Sequence, residues 1–242
     1  MKKSLSIRRG YTRVDRYSEV TNKNIREIVL LKGSPCVWGK CSFCDYILDN
    51  GTHEEEMNAL NFEVLEQITG KYQVLEVINS GSCFELPQAT LERIKTIIKE
   101  KGIKKLFLES HWAYKNRIQE MRDFFGIPIT FKIGVETFDE DFRNGYLNKS
   151  THFKSIDELK KYFDSPCMMV GIKGQTKEMI DRDMELVLKH FDHATINVFI
   201  DNTTTVKRDE ELVQWFIQKY KFLDENPKIE VLYNNTDFGV GD

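Results

Sequence analysis

The chain has 242 residues, 40% of them hydrophobic and 30% charged, with a net charge of −3. That length buries one large core or two small ones, and no apolar run approaches the ~20 residues of a membrane span. The slightly acidic total disfavours a large nucleic-acid surface, so no stable nucleic-acid partner is expected.

The N-terminal segment, residues 1–27, is locally basic. It carries Lys2, Lys3, Arg8, Arg9, Arg13, Arg16, Lys23 and Arg26 against Asp15, Glu19 and Glu27. It reads as a solvated arm, with RNA or substrate phosphate as the alternative contact. No apolar stretch follows its charges, so it does not read as a secretory signal, and a cytoplasmic protein is expected.

From "EIVLLKG" onward, short β-branched runs alternate with segments of helical spacing. Strands are expected at "EIVLLKG", "VLEVINSG", "KLFLES", "ITFKIGVET", "CMMVGI", "ATINVFI" and "IEVLY". Helices are expected around "MNALNFEVLEQITG", "TLERIKTIIKEKG", "NRIQEMRDFFG", "DEDFRNGYL", "SIDELKKYF", "KEMIDRDMELVLKHF" and "DEELVQWFIQKYKFL". One stripe of the sixth would hold Ile180, Met184, Val187, Leu188 and Phe191. The strands read as nearly all apolar, as strands covered on both faces should.

About six βα units imply a parallel sheet. The expected fold is α/β: a partial (β/α)6 TIM-like barrel with the site at the C-terminal ends of the strands. One domain over 1–242 is expected, with a basic extension (1–27), core units (28–202) and a C-terminal helix and strand (203–242).

Five cysteines without a secretion signal argue against a disulfide framework. Cys36, Cys41 and Cys44 cluster as C-x4-C-x2-C directly after the first core strand. Two readings stand. A structural zinc site would need a distant fourth ligand, from Cys83, Cys167 or a histidine. Alternatively, three thiolates hold three irons of a 4Fe–4S cluster and leave the fourth iron open. Cys83 and Cys167 have no motif partner and read as buried thiols. "HEEEM" at His53 lacks the second zinc-protease histidine, and "DFG" at Asp237 has no companion kinase motif.

The cysteine loop resembles that of radical S-adenosylmethionine (SAM) enzymes, whose usual pattern is C-x3-C-x2-C with an aromatic residue before the last cysteine, here Phe43. It departs by one extra residue between Cys36 and Cys41. The resemblance runs over about residues 28–202. It implies a 4Fe–4S cluster on Cys36, Cys41 and Cys44, and SAM contacts at the turn Ser80, Gly81 and Ser82, at Glu136, and at Gly171 of "VGIKGQT". Glu109 is a further SAM-contact candidate. Arg143 is implied as a clamp on the SAM carboxylate, with a surface helix charge as the other reading. Glu136 has the alternative of a helix-start acid. An electron donor such as flavodoxin or ferredoxin is implied as partner.

Within this superfamily, the compact length and the "LLKGSPCVWGKCSFCDY" loop resemble the small queuine lyases of queuosine salvage. That implies a small-molecule base as substrate, namely queuine, and C–N cleavage to 7-aminomethyl-7-deazaguanine. The alternatives are a radical SAM enzyme acting on tRNA or another metabolite, and a non-catalytic metal-binding domain. Trp38, Asn79, Glu85, His111, Trp112, Asn202, Tyr233 and Asp237 are candidates for holding a planar base, since such a base wants an aromatic face and a carboxylate. Trp38 or Lys40 is expected to use the extra loop residue.

Overall fold

The computed structural model describes residues 7–9, 12–14 and 15–234, with side chains from residue 15 onward. Two short strands, β1 (Ile7–Arg9) and β2 (Thr12–Val14), pair antiparallel apart from the main sheet. The main sheet has eight strands: β3 (Tyr17–Val20), β4 (Arg26–Leu31), β5 (Val74–Asn79), β6 (Lys105–Glu109), β7 (Ile129–Glu136), β8 (Ser165–Val170), β9 (Ala194–Val198) and β10 (Ile229–Leu232). They lie in sequence order from β3 to β10. Every pairing is parallel except β3 with β4.

Helices α1 (Glu54–Leu65), α2 (Gln88–Glu100), α3 (Ile118–Phe125), α4 (Ile156–Lys160), α5 (Lys177–His190) and α6 (Glu210–Lys219) fill the crossovers. Side-chain oxygens of Ser155, Thr176 and Asp209 accept from backbone N–H groups at the starts of α4, α5 and α6. Each satisfies a donor that the helix leaves unpaired. The result is the open, partial barrel expected from the alternation.

Strand alternation sorts the residues. Val29 and Leu31, Leu75 and Val77, Leu106 and Leu108, and Phe131 and Ile133 point outward and pack under the helices with Leu91, Ile94, Ile97 and Ile98. Burying one such side chain is worth ~1.5–3 kcal/mol, so this layer supplies most of the cohesion.

The inner face differs from expectation, since it is not apolar. Arg26, Glu76, Glu109, Lys132, Thr195 and Glu230 all line the cavity inside the sheet. A strand tolerates charges there because they pair. Glu76 receives Arg26 Nε at 2.5 Å and Lys132 Nζ at 2.6 Å, and Glu230 receives the two terminal nitrogens of Arg26 at 2.7 and 2.8 Å.

The segment expected to be a solvated arm is integrated from residue 15 onward. Arg16 is buried and donates to Asp49 and to the Leu30 carbonyl. Lys23 donates to the Leu223 and Ile229 carbonyls, and Asn24 to Glu230, so the β3–β4 loop reaches the far edge of the sheet. These ties join the two ends of an unclosed sheet at its N-terminal rim. Lys2, Lys3, Arg8, Arg9 and Arg13 have no described side chains. Two helical expectations also change. "DFRNGY" forms a π-helical turn (Asp141–Tyr146), and Leu188 is 38% exposed rather than part of the buried stripe.

Candidate active site

The loop of residues 32–53 leaves the C-terminal end of β4, and Cys36, Cys41 and Cys44 all line a cavity of about 530 Å³ inside the sheet. Neighbouring turns fix the loop. The Glu85 carboxylate accepts from the backbone N–H of Val37 at 2.6 Å and of Ser82 at 2.7 Å. A Cβ on Gly81 would lie 2.0 Å from Glu85 Oε2 and 3.2 Å from Cys36 Cβ. Only glycine lets the β5 turn approach the loop this closely.

The extra residue of the C-x4-C spacing has a use. Trp38 Nε1 donates to the Asn148 carbonyl at 2.6 Å, and Asn148 Nδ2 donates back to the Lys40 carbonyl at 2.7 Å. Gly39 turns the chain between them with φ +60°. Ser42 bonds the Tyr146 and Leu147 carbonyls, and Asn202 Nδ2 holds the Phe43 carbonyl at 2.7 Å. The longer loop is thereby docked across the turn that follows β7.

That same turn carries Lys149, which sequence reasoning missed. Its Nζ lies 2.7 Å from Glu136 Oε1 and 5.5 Å from the Phe43 ring centroid, and the residue lines the cavity beside the thiols. Burial pushes the Cys41 thiol up to about 12 and raises Cys44 as well, and the Lys149 charge works against both shifts. Glu136 sits at φ +66°, next to an irregularity in the β7–β8 register. A non-glycine residue held there costs ~1–3 kcal/mol, a strain that aims its carboxylate at Lys149. His111 Nδ1 accepts from Ala113 N, so Nε2 carries the proton and donates to the Lys149 carbonyl at 3.1 Å. Burial holds this imidazole neutral, with its pKa lowered to about 4.

No group of three or more His, Cys, Asp or Glu among the described residues is placed to share one metal ion. Of the distant cysteines, Cys83 lies in the apolar core and away from the cavity. Cys36, Cys41 and Cys44 all line the cavity, and three soft thiolate donors there fit an iron–sulfur cluster.

Of the residues named from sequence, Asn79, Ser80, Gly81, Glu109, His111, Glu136 and Tyr233 line the cavity with the three cysteines. Others do not. Arg143 is 1% exposed and donates to the Thr151 and Thr137 carbonyls at 2.9 and 2.8 Å, so it pins the loop and is not available as a carboxylate clamp. Glu85, Trp38 and Asn202 hold the cysteine loop, and Trp112 packs in the core against Phe153 and Tyr162.

Phe43 belongs to a small apolar cluster with Cys41 and Cys44 packed against it. Ser82 caps the turn at Cys83–Glu85. Gly171 sits at φ +86° against Val213. Asp237 lies outside the described residues. Cys167, read as a plain buried thiol, lines the cavity 3.8 Å from Glu109.

No protein-family model matches the chain. An uncharacterised protein of Methanocaldococcus jannaschii is 23% identical over 167 residues, and the match spans 44% of that protein's length. Among solved structures, a radical SAM methyltransferase from Sphaerobacter thermophilus superposes with a TM-score of 0.60 at 14% identity, over 86% of this chain and 65% of that one. SuiB from Streptococcus suis gives 0.55 at 12% identity, over 85% and 48%. Both likenesses concern the fold. The queuine lyase from Clostridium spiroforme, solved bound to SAM and queuine, is 56% identical with a TM-score of 0.91, over 94% of this chain and 99% of that one. At that identity and coverage, the chain belongs to the queuine lyase family of radical SAM enzymes.

Proposed function

We propose that this protein is a queuine lyase, a cytoplasmic radical SAM enzyme that cleaves a C–N bond of free queuine to give 7-aminomethyl-7-deazaguanine. The observation that carries this reading is a single cavity. It joins three unpaired thiols at its mouth to a floor of compensated charges, in a chain 56% identical to the lyase that binds SAM and queuine.

Cys36, Cys41 and Cys44 would hold a 4Fe–4S cluster. With an electron from a flavodoxin- or ferredoxin-like donor, that cluster would supply the one-electron chemistry that cleaves SAM reductively and initiates hydrogen abstraction from the substrate. The remaining work is done by the chain. Ser80 and Gly81 bring the β5 turn against the cysteine loop, where the SAM amino group would lie. Lys149, not Arg143, is the buried cation beside the thiols and supplies the charge for the SAM carboxylate. Glu136 orients Lys149 and faces the same space for the ribose hydroxyls. The enclosing strands exclude water from the radical.

The test is anaerobic reconstitution with iron and sulfide, followed by reduction in the presence of SAM. Queuine should stimulate 5′-deoxyadenosine formation. A reduced, iron-loaded protein that never cleaves SAM would sink the enzyme reading, and cleavage indifferent to queuine would sink the substrate.

A further inference from the structure

Among the acids that line the cavity, Glu76, Glu230 and Glu109 are not equally satisfied. Glu76 has two cations at 2.5 and 2.6 Å, and none of its side-chain surface is accessible. Glu230 takes both terminal nitrogens of Arg26 and keeps 8% of its side-chain surface. Glu109 meets Lys132 only at 3.5 Å, meets the Cys167 thiol at 3.8 Å, and keeps 32% of its side-chain surface, which faces the cavity it lines. A carboxylate accepts at about four lone-pair sites, so Glu109 has capacity left over. Burial raises its pKa against the pull of Lys132.

A second orphan lies on the same wall. The Thr195 hydroxyl is buried and has no hydrogen-bond partner among the described residues. Thr195 stands beside Cys167 in the β8–β9 register, and Cys167 stands beside Gly134 in the β7–β8 register. Gly134 adds no side chain, and the space a Cβ would take there is filled by the Glu136–Lys149 pair, which bounds this stretch of wall. A buried hydroxyl without a partner costs ~1–3 kcal/mol until something bonds it.

Lys132 and Glu109 are register partners across β6 and β7. They present a donor next to two acceptors. A 2-amino-pyrimidin-4-one edge, the lactam–amine edge of a 7-deazaguanine, presents the complement: a carbonyl acceptor, a ring N–H and an exocyclic amine. We infer that Glu109, with Lys132 at its side and Thr195 nearby, is the specificity determinant that reads this edge of the base. The inference rests on the proposed lyase function and goes beyond it by naming how the base is recognised.

The test uses cluster-loaded protein with SAM present, under anaerobic conditions. Equilibrium binding is measured for 7-aminomethyl-7-deazaguanine, for its analogue without the 2-amino group, and for 7-deazaguanine without the aminomethyl arm. Hydrogen bonds to a charged group are worth about 10-fold or more in affinity. Wild-type protein should therefore lose about 10-fold or more with the 2-amino group, and Glu109→Gln should reduce that ratio below about 3-fold. Iron content and the thermal midpoint are read in parallel. Glu109→Asp keeps the charge and shortens the reach, so it should also shrink the ratio, even if the glutamine variant fails to fold. A full wild-type ratio in the folded variants overturns the inference. So does a variant that erases the discrimination for the aminomethyl arm instead, because Glu109 would then hold the ammonium. If wild-type protein binds none of the bases, the lyase reading falls together with the inference.

Discussion

At the floor of the cavity, Glu76 takes Arg26 and Lys132 at 2.5 and 2.6 Å, and Glu230 takes both terminal nitrogens of Arg26. At its mouth, Lys149 meets one carboxylate, Glu136, beside three cysteines that form no disulfide among the described residues. Both regions bury charge, and the way each compensates it separates their duties. The floor is completed by the chain itself and contributes to folding. The mouth is completed only by what binds there. Buried charges are tolerated when paired and are costly when a partner is removed, so substitutions at the two ends should fail in different ways.

The largest effect belongs to the mouth. Replacing Cys36, Cys41 or Cys44 by Ala should abolish iron and sulfide incorporation and SAM cleavage while leaving the fold intact by circular dichroism. Loss of activity with full cluster content would contradict the assigned ligands. At the floor, Glu76→Gln should leave Lys132 and Arg26 undercompensated, costing about 3 kcal/mol. That corresponds to roughly 6–12 °C in the thermal midpoint for a domain of this size. The folded fraction should still take up iron.

Lys149→Met addresses the mouth again. It should weaken SAM binding by about 10- to 100-fold with a smaller loss of stability, read by calorimetric titration into cluster-loaded protein. Arg143→Lys gives the contrasting result. It loses the forked bonds to the Thr137 and Thr151 carbonyls, costing about 1–2 kcal/mol of stability, while SAM affinity stays near wild type. If Arg143→Lys impaired SAM binding as much as Lys149→Met, the roles given to these two cations would be reversed.

The smallest effect is a pH dependence remote from both ends. One Asp183 oxygen accepts from Phe138 N at 2.7 Å and the other has no partner among the described residues. Burial pushes this carboxyl up to about 7. An unfolded aspartate titrates near ~3.9, so between these values the folded state binds the extra proton. Stability from this group is present at low pH and is lost as pH rises through about 7. Denaturation midpoints measured from pH 5 to 8 should show that slope in wild type and lose it in Asp183→Asn.

Much of the fold was legible, because seven parallel strands announced themselves as β-branched runs and their helices as apolar stripes. That Cys36, Cys41 and Cys44 lie together on the cavity was legible from their spacing and from their place directly after the first core strand. The floor was harder to see. Glu76 and Lys132 are lone charges inside apolar runs, and only strand alternation with the register places them on one inner face. β3 was hidden because its segment is charged, and Arg16 and Arg26 are buried by partners 33 to 204 positions away.

The exchange of Arg143 for Lys149 has a local cause. The turn between them is π-helical, with Leu147 N bonded to the Phe142 carbonyl five residues back, which rotates the following residues relative to an ordinary helix. Sequence spacing could not say which cation turns inward. Trp38 or Lys40 was expected to use the extra loop residue; in the structure the Trp38 indole and the Lys40 carbonyl both bond Asn148.

The most direct test of the proposed chemistry is a mass balance on the base. Cluster-loaded, reduced protein is incubated with SAM and queuine, and 5′-deoxyadenosine, queuine and 7-aminomethyl-7-deazaguanine are quantified together. The expected result is loss of queuine matched by gain of 7-aminomethyl-7-deazaguanine, with 5′-deoxyadenosine rising in step. Formation of 5′-deoxyadenosine while queuine remains whole would contradict it.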